Sequence, residues 1–158
     1  MQSIGVIGGG TMGNGIAHVF AQSGCAVTLV DIKQEFVDRA LATIKSNLER
    51  QAKKGGIAKD EVGAILARIT SSVDLQSLNT CELVVEAATE DAGLKKKIFA
   101  EIDALCPPKT ILASNTSSIS ITELAAATQR PEKVIGMHFF NPVPVMKLVE
   151  VIRGLATS

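Results

Sequence analysis

Two residues near the end of the chain have the chemistry for proton transfer at the end of a strand. An apolar run ends on His138, and Glu150 lies in the next apolar run, residues 147–152. Imidazole exchanges protons near neutral pH, and a carboxylate on its second ring nitrogen fixes the tautomer and stabilises the imidazolium. A turn between the two predicted strands would bring His138 and Glu150 side by side. The other histidine, His18, lies inside a predicted helix, where we interpret it as structural.

A glycine-rich turn near the start of the chain has the spacing of a phosphate-binding site. A short apolar run is followed by Gly8-x-Gly10-x-x-Gly13 and then by an amphipathic stretch. Gly8 permits the tight turn, Gly10 lets the backbone approach a pyrophosphate, and Gly13 lets helix and strand pack closely. The helix that opens at Thr11 would direct unpaired N–H groups and the positive end of its dipole at that phosphate.

An acid closes the second apolar run of the chain. Asp31 follows Val30 and lies eighteen residues after Gly13. A carboxylate there can accept both ribose hydroxyls of an adenosine, and it repels a 2′-phosphate. The following Ile32-Lys33 offers no arginine for such a phosphate, so the sequence predicts NAD in preference to NADP. A dinucleotide site together with a histidine at a strand end indicates hydride transfer with acid–base assistance.

Composition restricts the class of protein. The chain has 158 residues, long enough to bury the core of one domain, with 46% hydrophobic residues and neither Trp nor Tyr. Aliphatic strands and alanine-rich helices of this kind are typical of parallel α/β proteins. The formal net charge is zero. We therefore expect neither nucleic acid nor an acidic membrane surface as a partner.

The cysteines indicate a reducing compartment. Cys25, Cys81 and Cys106 are an odd number without C-x-x-C spacing, which favours free thiols over a disulfide framework or a zinc site. We expect no leader peptide before the first predicted strand, and no apolar run approaches membrane-spanning length. We expect a cytoplasmic protein without a metal site.

Helical periodicity after the second strand predicts a hairpin of two helices. The first helix ends at the glycines 55–56, and the second is expected to continue through Ile69. Their apolar stripes are Val37, Ala40, Leu41, Ile44 and Leu48, then Val62, Ile65, Leu66 and Ile69. The tip carries four basic residues, Arg50, Lys53, Lys54 and Lys59. Such a tip is either a solvated surface or a binding place for the acidic tail of a large substrate.

The remaining segments alternate between apolar runs and helical stretches, which predicts a doubly wound, mostly parallel sheet. Strands are predicted at 71–74, 82–86, 110–113, 134–138 and 147–152, with a helix at about 94–105. Loops at the carboxyl ends of parallel strands face the ligand, which favours Glu90 as a site residue. Of the lysines 95–97, we expect at least two to be solvated. The hydroxyls and amide of residues 114–118 either cap the next helix or line a polar pocket beside the nicotinamide.

Three stretches of the sequence resemble the motifs of the 3-hydroxyacyl-CoA dehydrogenases. They are His138-Phe-Phe-Asn-Pro-Val-Pro-Val-Met-Lys-Leu-Val-Glu150, Ala113-Ser-Asn-Thr-Ser-Ser118 and Gly8-Gly-Gly-Thr-Met-Gly-Asn-Gly15. The resemblance covers the whole chain and is nearest to the bacterial 3-hydroxybutyryl-CoA dehydrogenases. It implies a Rossmann-type α/β fold and an NAD-dependent interconversion of (S)-3-hydroxyacyl-CoA and 3-oxoacyl-CoA, with 3-hydroxybutyryl-CoA as the expected substrate.

The resemblance also implies roles for individual residues. His138 would be the catalytic acid–base, Glu150 its orienting carboxylate, and Ser117 a hydrogen-bond partner of the substrate's 3-oxygen beside the nicotinamide. Lys54 would contact the CoA moiety, and Asn47 stands where the family often has a serine with the same role. The implied cofactor site consists of Gly8, Gly10, Thr11, Met12, Gly13, Asp31, Glu90, Lys95, Ser117 and Asn141.

The family's polypeptide continues into an all-helical second domain that forms the dimer and closes over the acyl-CoA. Residues 1–158 would therefore be the NAD-binding domain, with that second domain absent from this chain, and we expect NAD binding with little turnover. Two other interpretations stay open. One is a β-hydroxyacid dehydrogenase acting on free acids, and the other is a non-catalytic NAD-binding module.

Overall fold

The fold is built on one seven-stranded sheet, described over residues 1–158 in a computed structural model. The strands are β1 Ser3–Ile7, β2 Ala26–Val30, β3 Ile69–Ser72, β4 Leu83–Glu86, β5 Ile111–Ser114, β6 Val134–Phe139 and β7 Val149–Arg153. Their order is β3-β2-β1-β4-β5-β6-β7, with every pair parallel except β6 and β7. The chain moves outward from β1 in one direction and, after β3, outward from β4 in the other. The predicted doubly wound, mostly parallel sheet is confirmed, and the order reverses between β1 and β4, where such folds bind ligands.

Five helices accompany the sheet. They are α1 Thr11–Gln22, α2 Gln34–Lys53, α3 Glu61–Ala67, α4 Ala92–Leu105 and α5 Ile121–Ala126, with short 3₁₀ turns at Leu75–Leu78 and Pro131–Lys133. The α2–α3 pair is the predicted helical hairpin, and Gly55 ends its first helix with a φ of 82°. None of these helices is both long and apolar enough to span a bilayer.

Several boundaries differ from the sequence prediction. The last strand begins at Val149 instead of residue 147, and the larger differences lie at residues 69–74. Ile69 does not continue the second helix of the hairpin but starts β3, opposite Val27 of β2. A β-branched residue packs well at such a ladder position, so the sheet contact prevails over the helical periodicity. The strand predicted to reach Asp74 ends at Ser72, because the Asp74 side chain instead accepts a hydrogen bond from the Gln76 N–H and caps a 3₁₀ turn.

Apolar side chains cover the sheet on two sides. Alternate residues of β4 enter different clusters: Val85 packs with α1 and α2, whereas Val84 packs with α4 and α5. The four residues of β4 are all buried, as expected for a central parallel strand covered on both faces. The sheet is therefore a rigid base whose carboxyl edge carries the candidate site.

One buried arginine joins the second half of the fold. The Arg130 guanidinium donates to the Asp103 carboxylate and to the carbonyl oxygens of Asp103, Cys106, Pro107 and Thr110. Arg130 is only 7% exposed. These carbonyls lie at the end of α4 and in the turn before β5, where the helix leaves acceptors without intrahelical partners.

We predict that Arg130→Ala lowers the free energy of unfolding by about 3–5 kcal/mol, because it removes the positive partner of the nearly buried Asp103 carboxylate and takes donors away from the Asp103 and Cys106 carbonyls. Arg130→Lys is the matched control. It keeps the charge but not the five-donor fork, so its loss should be smaller. Urea unfolding at neutral pH measures both, and an alanine variant as stable as wild type would contradict this role.

Candidate functional site

A cleft opens at the carboxyl edge of the sheet between the glycine turn and the loop after β6. Its volume is about 370 Å³. The glycine turn, the start of α1, the middle of α2 and the loop after β6 form its walls. Its lining residues are Gly9, Gly10, Thr11, Asn14, Gly15, Arg39, Ala40, Thr43, Asn47, Asn141, Pro142, Val143 and Pro144.

The glycine turn has the geometry that the sequence predicted for it. Gly8 has a φ of 108°, and a Cβ on Gly13 would lie 1.7 Å from the Gly8 carbonyl oxygen. Both positions therefore require glycine. A Cβ on Gly10 would meet no atom within 4 Å, and no side chain caps the α1 N-terminus. The first N–H groups of α1 are thus free to bind an anionic group, which fits a dinucleotide pyrophosphate.

Asp31 binds the glycine turn from the end of β2. Its Oδ2 accepts from the Gly9 N–H at 2.7 Å, and its Oδ1 accepts from the Ile32 N–H at 2.7 Å. Each carboxylate oxygen keeps a further lone pair, so ribose hydroxyls can still donate to it. Arg39 was not predicted from the sequence as a site residue. It comes one helical turn into α2, lies over the Phe36 ring and lines the cleft.

The predicted acid–base pair is brought together by the antiparallel register of β6 and β7. His138 pairs with Glu150, and Nδ1 of the histidine lies 3.9 Å from Oε2 of the glutamate. This separation exceeds a hydrogen bond and lies within the range of an ion pair. The histidine side chain is 24% exposed and the glutamate 53%, so both reach solvent at the strand edge. The prediction that they lie side by side is confirmed.

The hydroxyl cluster after β5 is tied to the loop after β4. The Glu90 carboxylate accepts from Thr116 Oγ1 and from Ser118 Oγ, both at 2.9 Å. Ser117, between them, is exposed and binds no group of the protein. Its hydroxyl is therefore available for a ligand. The helix-capping alternative applies to a different residue, because Ser120 accepts from the Glu123 N–H at the start of α5.

A second cleft, of about 290 Å³, lies between α2 and the loop after β6. Lys54, Arg50 and Asn47 line it, and Asn47 also lines the first cleft. The other two basic residues of the hairpin tip, Lys53 and Lys59, line a separate cleft between α2 and α3. Lys54 is exposed where it lines this cleft.

The comparisons with known proteins agree with this geometry. Residues 3–158 match the family described as 3-hydroxyacyl-CoA dehydrogenase, NAD binding domain.

The chain belongs to the 3-hydroxyacyl-CoA dehydrogenase family.

Two bacterial relatives and one solved structure illustrate the likeness. A probable 3-hydroxybutyryl-CoA dehydrogenase of Bacillus subtilis is 49% identical over 158 residues, which is 100% of this chain and 55% of the relative. The 3-hydroxybutyryl-CoA dehydrogenase of Bradyrhizobium diazoefficiens is 50% identical over the same length, 54% of that relative. The crystal structure of the (S)-3-hydroxybutyryl-CoA dehydrogenase from Ralstonia eutropha has a TM-score of 0.98 at 50% identity, covering 100% of this chain and 56% of that one.

The family match confirms the sequence prediction of NAD as the cofactor, because the matching part is the family's NAD-binding domain. The resemblance to the bacterial 3-hydroxybutyryl-CoA dehydrogenases is likewise confirmed. The chain spans about half the length of the curated relatives that it matches.

Within this family fold, Lys95 has an unexpected environment. It is 1% exposed, and its Nζ donates to both carboxylate oxygens of Glu86, at 2.6 and 2.7 Å. The family resemblance places Lys95 among the cofactor-site residues, yet its ammonium group is enclosed against a second buried charge. Glu86 also accepts from the Ser114 hydroxyl and from the Ala88 N–H, both at 2.8 Å. Lys95 therefore links α4, through the Glu86 carboxylate, to the carboxyl ends of β4 and β5.

The sequence contained a signal for this buried pair. Lys95, Phe99 and Ile102 are the buried residues of α4, and their spacing of four and three places all of them on its inner face. Lys96 and Lys97 are exposed, so the expectation of at least two solvated lysines is confirmed. Glu86 was not predicted as a functional residue. Its place at the end of an apolar strand was a usable signal, because a buried carboxylate there needs a charged or hydrogen-bonding partner.

His18 lies on the buried side of α1. Its Nε2 is 3.1 Å from Gln22 Oε1 and 3.0 Å from Gln51 Oε1, while its Nδ1 is buried without a partner. Burial lowers the pKa of His18 below its ordinary value of 6.5, and the two glutamines oppose this only partly. The ring packs between α1 and α2, which supports a structural role.

We predict that His18 makes the fold sensitive to mild acid. As pH falls below about 6.5, the unfolded chain takes up a proton that the folded chain resists, so the free energy of unfolding decreases. The slope is at most about 1.4 kcal/mol per pH unit, the limit for one proton. His18→Gln should lose less stability than wild type between pH 8 and pH 5 in urea unfolding. Equal losses in the two proteins would show that His18 does not titrate in this way.

Proposed function

We propose that this chain is the cofactor-binding part of an NAD-dependent dehydrogenase that interconverts (S)-3-hydroxyacyl-CoA and 3-oxoacyl-CoA. The observation that carries the proposal is the pairing of His138 with Glu150 at the same sheet edge as the glycine turn. Three features of this structure fit NAD: the uncapped N-terminus of α1, the open face of Gly10 and the free lone pairs of Asp31.

His138 is the residue that moves the proton. In the oxidation of a 3-hydroxyl it accepts the hydroxyl proton, and in the reverse direction it returns a proton to the 3-oxygen. The bound dinucleotide would supply the hydride chemistry at carbon 3, as the acceptor in its oxidised form and as the donor in its reduced form. The Glu150 carboxylate lies 3.9 Å from Nδ1. A hydrogen bond between them would hold the tautomer in which Nε2 is free for the substrate and would stabilise the charged ring. The unpartnered Ser117 hydroxyl is available to donate to the 3-oxygen.

The remaining predicted site residues fall into two groups, those for the parts of the cofactor and those for the CoA part of the substrate. Gly8 to Gly13, with Thr11 and Met12 at the start of α1, would hold the pyrophosphate, and Asp31 the adenosine ribose. Glu90, Lys95 and Asn141 would belong to the nicotinamide end, with Lys95 acting through Glu86. Lys54 and Asn47 would bind the CoA moiety, and the cleft that they share with the loop after β6 supports this assignment.

The two other interpretations have less support. A dehydrogenase of small free acids has no use for a basic residue in a cleft that adjoins the cofactor cleft through Asn47. A non-catalytic NAD-binding module has no need of a histidine and a carboxylate in register at the sheet edge. Comparing acetoacetyl-CoA with free acetoacetate as substrates separates the first alternative from the main proposal.

The whole protein's acyl specificity and assembly are part of the same proposal. The apolar residues Val145, Leu148, Val151 and Leu155 are between 58% and 90% exposed around β7. We infer that further polypeptide, for which the greater length of the relatives leaves room, encloses the acyl group and forms a homodimer, so that residues 1–158 alone bind NADH but turn over slowly. The three free cysteines support a reducing, cytoplasmic location.

We predict that the 158-residue chain binds NADH more tightly than NADPH in calorimetric titration. Asp31→Ala should weaken NADH binding by roughly 10- to 100-fold, since it removes charge-assisted hydrogen bonds to ribose and the contact to the Gly9 N–H. Asp31→Asn is the control, because its amide oxygen can still accept from Gly9, and its loss should be smaller. An unchanged NADH affinity in the alanine variant would remove Asp31 from the cofactor site.

We predict that His138→Gln lowers kcat for acetoacetyl-CoA reduction by about 10²- to 10⁴-fold in the protein that carries this chain, because the general acid–base is lost. Glu150→Gln should cause a smaller loss, and NADH affinity should stay within about twofold in both, since neither side chain is assigned to cofactor binding. His18→Gln is the matched control and should leave kcat unchanged. A full rate in His138→Gln would refute the proposed mechanism.

A further inference from the structure

The strand that carries His138 extends beyond its parallel neighbour. The ladder between β5 and β6 ends with the pair Ser114 and Gly136, whereas β6 continues to Phe139. On the other side, β7 pairs with β6 as far as Phe139 opposite Val149. The end of β6 therefore has backbone ladder contacts on one side only.

A side chain takes the place of the missing neighbour. The Phe139 N–H donates to Oδ1 of Asn115 at 2.8 Å. Asn115 follows directly after β5, and its own N–H donates to the Glu86 carbonyl oxygen at 2.9 Å. The residue is thus held by β4 and β5 while its side chain holds β6. Phe139 is 5% exposed, so an unpaired N–H at this position would be costly.

The orientation of the Asn115 amide follows from its partner. A backbone N–H can only donate, so the side-chain oxygen must face Phe139 and the NH₂ group must face away from it. No protein group accepts from that NH₂. Within this chain, only the oxygen of the Asn115 amide forms a hydrogen bond.

We propose that Asn115 is a positioning residue for His138. The Phe139 N–H belongs to the peptide group that joins His138 to Phe139, so a bond to this N–H sets the plane of that peptide. The plane limits the backbone torsion of His138 and hence the direction of its imidazole. Without Asn115, β7 would hold this peptide from one side only, and the ring would lose its alignment with Glu150, now 3.9 Å away.

The catalytic consequence of this inference rests on the proposed function, whereas the structural consequence does not. Two variants separate the acceptor from the rest of the side chain. Asn115→Asp keeps an oxygen for Phe139 and removes the NH₂ group. Asn115→Leu has a similar volume and removes the acceptor.

The first experiment is amide hydrogen exchange of the 158-residue chain, followed by NMR at the Phe139 N–H. We expect exchange to be about tenfold faster in Asn115→Leu, the factor for the loss of one such hydrogen bond, and close to wild type in Asn115→Asp. The exchange of central amides in β4, such as Val85, reports global stability in the same samples. Unchanged protection of Phe139 in Asn115→Leu, or a loss equal to that of Val85, would overturn the proposal.

The second experiment measures acetoacetyl-CoA reduction in the protein that carries this chain. A displacement of the acid–base group by about 1 Å can cost about 10²-fold in rate, so we expect a kcat loss of 10- to 100-fold in Asn115→Leu. KM for NADH should stay within about twofold, and Asn115→Asp should recover most of kcat. Equal kcat losses in the two variants would overturn the positioning role. If the wild-type protein has no activity, the proposed function fails, and hydrogen exchange still decides whether Asn115 holds the end of β6.

Discussion

Parallel strands end with backbone groups that have no ladder partner, and the candidate site is built where side chains satisfy them. Asp31 binds the N–H of Gly9, Glu86 binds the N–H of Ala88, and Asn115 binds the N–H of Phe139. Each of these polar residues stands at or immediately after the carboxyl end of a strand. A buried or half-buried polar group is stable there only because its partner comes from a neighbouring strand end or loop. The same bonds that complete the fold therefore set the shape of the crevice.

The two sides of the crevice depend on this arrangement in different ways. On the β1–β2 side, backbone geometry dominates, because Gly8 and Gly13 allow α1 to start directly against β1 and leave its N–H groups open. On the β4–β6 side, side chains dominate: Glu86 joins α4 to β5, and Glu90 joins the next loop to the hydroxyl cluster. The first side suits a phosphate, and the second suits groups that must be aligned for reaction.

Much of this architecture could be predicted from the sequence, because the informative patterns are local. The glycine spacing, the acid after β2 and the histidine at the end of β6 each follow from a short stretch with a known backbone requirement. Partners distant in sequence were harder to predict. The Glu86–Lys95 pair depends on the rotational phase of α4, and Arg39 approaches the cleft only because α2 packs against α1. The prediction of Ile69 as helical was wrong for the same reason: its partner in the sheet, Val27 of β2, is more than forty residues away in the sequence.

Burial also divides the charges of this protein by their response to ionic strength. Glu86 and Lys95 are 0% and 1% exposed, so mobile ions cannot enter between them, and their attraction is screened little by added salt. The lysines of the hairpin tip are exposed, and at physiological salt their field decays over about 8 Å. The Glu86–Lys95 pair at the strand ends should therefore respond little to ionic strength, whereas the field of the hairpin tip weakens as salt is added.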